Sequence, residues 1–224
     1  MIEPSDTAMV VACSVVACVV IRLVKHAFCA QLGVDLIAFS HGLICALVSW
    51  HVIMQLDDSA AYLLLGDGPI SEAERVLPMI TWGYSLYDIF DGIRMGDRSF
   101  IFHGVTLFGL CWGLHHSGKL FLLTLPLVTE TSTPFLHLTH GFDLTAFKLA
   151  FLVTFLLMRW VYVPYVWCKY VYGASQLEAF RPQDWTVLLG GLPIHGLNLY
   201  WGVKVIRKAA RALGYLPDNR KKNA

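Results

Sequence analysis

The stretch GYSLYDIFDGIRMGDRSFIFHGVTLFG, Gly83 to Gly109, decides how the chain is read. It lies in one of the most apolar regions, yet it carries Asp88 and Asp91 three residues apart and then His103. An ionisable group inside a membrane-spanning helix costs about 2.5–3.5 kcal/mol on insertion scales. Two such groups in one helix need an interaction that offsets them. Positions i and i+3 share a helical face, so Asp88 and Asp91 are expected to point together into a bundle interior or a wet cavity. Tyr84 and Tyr87, each four residues before one of them, are placed to donate hydrogen bonds to that face. The short 94–99 connection makes the two helices antiparallel neighbours, which brings His103 to the aspartates, with Arg94 and Arg98 on the flank. A histidine oriented by a carboxylate is a candidate general base. The alternative is a polar cluster that pins helices together.

Composition supports a membrane setting. Of 224 residues, 56% are hydrophobic and only 15% charged, and the mean hydropathy is +0.58. A soluble domain is typically about 45–50% apolar and about 25% charged. The excess exceeds what one soluble core can bury, so the expected fold class is an all-α polytopic membrane bundle. Six or seven segments have the length and character of spans: 7–24, 36–56, 77–93, 100–114, 120–138, 146–170 and 185–206. The fifth is interrupted by Pro126 and Pro134, and HHSGK at 115–119 reads as a tight turn. Tryptophans crowd several ends, as in interfacial belts. The net charge of +1 argues against a nucleic-acid surface. The six cysteines show no CxxC spacing and read as small buried hydrophobes.

The organisation is one domain at 36–208, preceded by a span and loop at 1–35 and followed by a basic tail at 209–224. The start carries Glu3 and Asp6 in place of a basic secretion-signal region, so the first span is expected to stay. Arg22 and Lys25, then Arg94 and Arg98, then the basic tail are assigned to the cytosol. The acidic 57–74 loop is assigned to the lumen. An outside start and an inside end require an odd number of spans, which favours seven. The final KKNA places Lys221 and Lys222 where endoplasmic-reticulum membrane proteins carry a dilysine retrieval signal, an address read by coat proteins.

Other polar residues extend the candidate site. His41 follows Ser40 inside the second span. Glu130, Thr131, Ser132 and Thr133 precede Pro134 mid-span, where Ser and Thr can satisfy backbone groups that a proline frees. Glu130 either belongs to that kink or faces the same cavity as the aspartates. His115–His116 and His137/His140 are not read as a metal site, because zinc needs three or four converging ligands with ordered second shells, and adjacent helical side chains such as His115 and His116 diverge by about 100°. No cofactor motif is present.

Several of these segments together resemble the TLC-domain family (the TRAM/LAG1/CLN8 type), which includes the ceramide synthases. The carrying elements are FSHGL at 39–43, WGYSLYDIFD at 82–91, FHG at 102–104, LVTETSTPFLHL at 127–138 and LNLYWGVKVIRK at 197–208. The fifth-span element is similar to the branch outside the ceramide synthases. The resemblance implies a helical barrel in the endoplasmic-reticulum membrane that handles acyl chains or sphingoid lipids. In the ceramide synthases a histidine pair and nearby aspartates serve acyl transfer from acyl-CoA to a sphingoid amine. His103, Asp88 and Asp91 match those positions, whereas Gly104 stands where the second histidine would be. The implied lipid contacts are Tyr84, Tyr87, His41, Glu130, Ser132 and Asn198. Three functions follow as expectations: a lipid-binding protein of membrane lipid homeostasis, an acyl-CoA-dependent N-acyltransferase, and a trafficking or cargo receptor that uses Lys221 and Lys222.

Overall fold

The computed structural model describes residues 4–28, 35–55, 71–142, 144–176, 179–212 and 215. Most of the acidic 57–74 loop, and Lys221 and Lys222 of the tail, lie outside them. The described residues are helical, with no strand. In chain order they form α1 (Pro4–Phe28), α2 (Leu36–Gln55), α3 (Glu72–Met95), α4 (Arg98–His116), α5 (Ser132–Gly141), α6 (Thr145–Ser175) and α7 (Pro182–Ala212). Two short 3-10 turns, Leu120–Leu123 and Pro126–Thr131, lie between α4 and α5.

The α3–α4 hairpin is written into its end residues. Ser71 and Glu74 form a reciprocal capping box at the start of α3, with Ser71 N donating to Glu74 Oε2 at 2.7 Å and Glu74 N to Ser71 Oγ at 3.3 Å. Gly96 ends α3 at φ +68°, a left-handed conformation that suits glycine. Asp97 then starts α4 by accepting from Ser99 N at 2.8 Å. The two helices run back to back at backbone distance. A Cβ on Gly104 would sit 2.8 Å from the Ser85 carbonyl oxygen and 3.0 Å from Ile89 N.

The fifth predicted span differs from one continuous helix. Residues 120–131 form 3-10 turns, and α5 begins only at Ser132. Pro126 has no N–H to continue a helix, and side-chain hydroxyls take up backbone carbonyls along the segment. Thr129 Oγ1 donates to Pro126 O at 3.0 Å, and Ser132 Oγ to Thr129 O at 3.1 Å. Ser49 Oγ reaches Thr124 O at 2.7 Å from α2. Leu120 to Leu125 are buried, and they plug one end of the bundle together with Leu77, Leu114 and Tyr170.

Leu36–Gln55 and Thr145–Ser175 are long and apolar enough to cross a membrane by composition. Of the remaining helices, α1 and α5 fall short in apolar length, whereas α3, α4 and α7 carry polar side chains, several of which face inward. Asp88, Asp91, Arg159, Asp184 and Asn198 are buried, while Val19, Leu47, Phe90, Val105, Leu157 and Leu199 are exposed. A soluble protein distributes its groups the other way. Among the cysteines, Cys18, Cys45 and Cys111 are buried as expected, whereas Cys13 and Cys168 are exposed.

Candidate functional site

A cavity of about 290 Å³ opens inside the bundle, lined from α2 through α7 and from the Pro126–Thr131 turn. Its polar wall contains Asp88, His103, Glu130, Ser132 and Arg159, and its apolar wall contains Leu136, Phe151 and Phe155. Lys204 and Lys208, one helical turn apart on α7, also line it. Its volume is at the small end for ligand sites, and its composition matches them, with few polar groups placed to orient a mostly apolar ligand.

The α3–α4 hairpin delivers the first polar pair. His103 Nδ1 lies 2.9 Å from Asp88 Oδ2, and both side chains are largely removed from solvent, at 16% and 6% exposure. With Nδ1–H donating to the carboxylate, Nε2 is left as the acceptor. The Trp201 ring, 5.5 Å from the imidazole, packs beside it, and its Nε1 donates to Ser99 Oγ at 3.3 Å. This arrangement can accept a proton at His103 Nε2 or a hydrogen bond from a ligand hydroxyl or amine.

The second pair comes from the broken segment and α6. Arg159 donates through Nη2 to Glu130 Oε1 at 3.0 Å, through Nη1 to Asn198 Oδ1 at 3.1 Å and through Nε to Ser132 Oγ at 3.3 Å. Thr133 Oγ1 donates to Glu130 Oε2 at 2.6 Å. One guanidinium thus ties α5, α6 and α7 together, and this fork geometry suits arginine and not lysine. Arg159 sits within a π-helical turn of α6, Leu156–Tyr162. Such turns are rare and concentrate at functional sites. Sequence reasoning did not single out Arg159. The available signal was a lone arginine in the middle of the apolar 146–170 segment, a placement that defaults to function.

The sequence candidates divide into three places. Tyr84, Asp88, His103, Glu130 and Ser132 line the cavity, and Asn198 holds Arg159 from behind. Asp91 does not line it. Its carboxylate takes Arg94 Nη2 at 2.8 Å and Arg22 Nη1 of α1 at 3.3 Å. The i, i+3 pair therefore splits, with Asp88 serving the cavity and Asp91 an ion cluster between α1 and α3. Tyr87 belongs to that cluster, with the Arg22 guanidinium 5.9 Å from its ring centre. His41 stands behind the cavity wall and stacks flat on Tyr84 at 3.8 Å.

The family model of the TLC domain (TRAM_LAG1_CLN8) matches residues 31–207, most of the chain. No curated protein and no solved structure matches the chain.

Proposed function

The chain belongs to the TLC-domain family, and on that premise we propose that it binds an acyl or sphingoid lipid inside the bundle to serve membrane lipid homeostasis. Membership makes it a membrane protein tied to lipid biology, in contact with the bilayer. The observation that carries the finer reading is the two-sided cavity. Aromatic and aliphatic side chains line one wall, and the Asp88–His103 and Glu130–Arg159 pairs stand on the other. An acyl chain fits the first and a hydroxyl, amine or amide head group fits the second. We assign the protein to the endoplasmic-reticulum membrane on the family's expected location.

Native mass spectrometry of the protein in mild detergent tests this. The expected result is a retained lipid mass in the wild type that is lost when Leu136→Trp fills the cavity and altered in identity by Asp88→Asn. A wild type that carries no lipid adduct, or a Leu136→Trp variant that carries the same one, refutes the reading.

The second reading is an acyl-CoA-dependent N-acyltransferase, and the His103–Asp88 dyad favours it. In that chemistry His103 Nε2 takes a proton from the attacking amine, the N–C bond forms and the thiol of coenzyme A leaves. Gly104 weighs against it, because a side chain there would meet the α3 backbone. Labelled acyl-CoA supplied with a sphingoid base discriminates between the two. Lipid binding alone predicts no labelled amide from wild type or His103→Ala, whereas the enzyme predicts amide from wild type only.

A further inference from the structure

We propose that the protein has a second lipid site, between α1, α2 and α3, that takes an uncharged lipid alcohol with His41 as its hydrogen-bond partner. A second cavity of about 390 Å³ lies there, lined by Met9, Val10, Cys13, Ala17, Ile37 and Ile44 among others, with His41 and Tyr84 forming its inner wall. It is separate from the first cavity, with Tyr84 the one residue that lines both. The inference stands whatever occupies the first.

The chemistry of the lining selects the ligand. No carboxylate, lysine or arginine lines it, so nothing would neutralise a charged head group in a low-dielectric setting. Ser14 is already committed, its hydroxyl donating to Ile80 O at 2.8 Å. His41 is 8% exposed. Its Nε2 faces Thr81 Oγ1 at 3.2 Å and Cys45 Sγ at 3.3 Å. Its Nδ1 is buried and has no partner among the described residues. Buried ring nitrogens are normally satisfied. If Nε2 carries the proton, Nδ1 accepts, and if Nδ1 carries it, Nδ1 donates. A hydroxyl answers both tautomers, whereas a pure acceptor or a hydrocarbon does not. Sterols, long-chain alcohols and acylglycerols share this chemistry: one hydroxyl on an uncharged apolar body.

The site is tested with a diazirine-bearing long-chain alcohol, photolysed on the full-length protein in detergent, with labelled residues mapped by peptide mass spectrometry. Unlabelled sterol, fatty alcohol, monoacylglycerol and the matching alkane serve as competitors, and the ranking of the three alcohols distinguishes the sources. Label is expected in the 9–21 and 37–44 peptides. The alkane should compete about tenfold more weakly than the alcohol in the wild type. His41→Phe, which keeps an aromatic ring against Tyr84, should remove that difference. Ala17→Trp, at the outer rim, should abolish the label while leaving any lipid retained in the first cavity unchanged. Equal competition by alkane and alcohol in the wild type overturns the proposal. So does undiminished label in a folded Ala17→Trp protein.

Discussion

Arg159 is the residue on which three helices converge, and its environment sets a measurable cost. Its side chain and that of Glu130 are 9% and 13% exposed. Removing one partner of a buried ion pair leaves an uncompensated charge and typically costs about 3–5 kcal/mol, whereas replacing both with apolar groups is often close to neutral. Arg159→Met is therefore expected to lower the melting temperature in detergent sharply, and adding Glu130→Leu should restore most of it. A double variant as unstable as the sum of its parts would show that the pair is not coupled. Gly104 yields a prediction of the opposite kind. Gly104→Ala brings a methyl against the Ser85 carbonyl and the Ile89 side chain at 2.8 Å, an overpacking expected to cost about 1–3 kcal/mol. Gly104→His should be worse and should not place an imidazole beside His103. A Gly104→His protein of wild-type stability would contradict the closeness of the two helices. His103 and Asp88 were legible from residue chemistry alone, because two polar groups in an apolar hairpin must find each other. The i, i+3 contact of Asp91 with Arg94 lay within reach of helix spacing, but its second partner, Arg22, comes from a helix distant in sequence, about which spacing along one helix carries no information.

The α3–α4 hairpin is the element that builds the His103–Asp88 contact, and its turn is two residues long. Gly96 closes α3 and Asp97 opens α4. Hydrogen bonds from the Ser99 hydroxyl and amide hold the Asp97 carboxyl below its usual range. A carboxyl with a depressed folded-state pKa contributes stability above its unfolded value, near 4, and loses it as the pH falls through the lower folded value. The wild type should thus lose stability more steeply than Asp97→Asn below about pH 4, since asparagine caps comparably without titrating. Asp97→Ala should cost about 1 kcal/mol at neutral pH. Parallel pH profiles for wild type and Asp97→Asn would remove Asp97 from the account. The hairpin itself was readable from the short 94–99 connection, but its helices run beyond the apolar stretches that marked them, from Glu72 to Met95 and from Arg98 to His116, because polar capping residues extend both. The 3-10 turns at 120–131 and the π-helical turn at 156–162 were not readable, because both depend on packing against α2 and α7 and leave only a proline and a lone arginine as local signs.

At the scale of the whole molecule, the bundle is closed at one end by the leucine-rich 3-10 segment and carries its polar residues inside, with valines, leucines and phenylalanines turned outward. The apolar composition predicted that inversion. Composition also undercounts the spans it implies, because α3 and α7 hold the polar groups that the cavity needs. The central claim is that this cavity receives an acyl chain. The most direct measurement is photolysis of the full-length protein, in liposomes, with a sphingoid lipid carrying a diazirine on its acyl chain, followed by peptide mapping. Label is expected on the α5 and α6 residues of the apolar wall, Leu136, Phe151 and Phe155, with its loss in Leu136→Trp. Label confined to outward-facing residues such as Leu47, Leu157 and Leu199, unchanged by Leu136→Trp, would mean that the chain meets lipid only at its surface and would contradict the account.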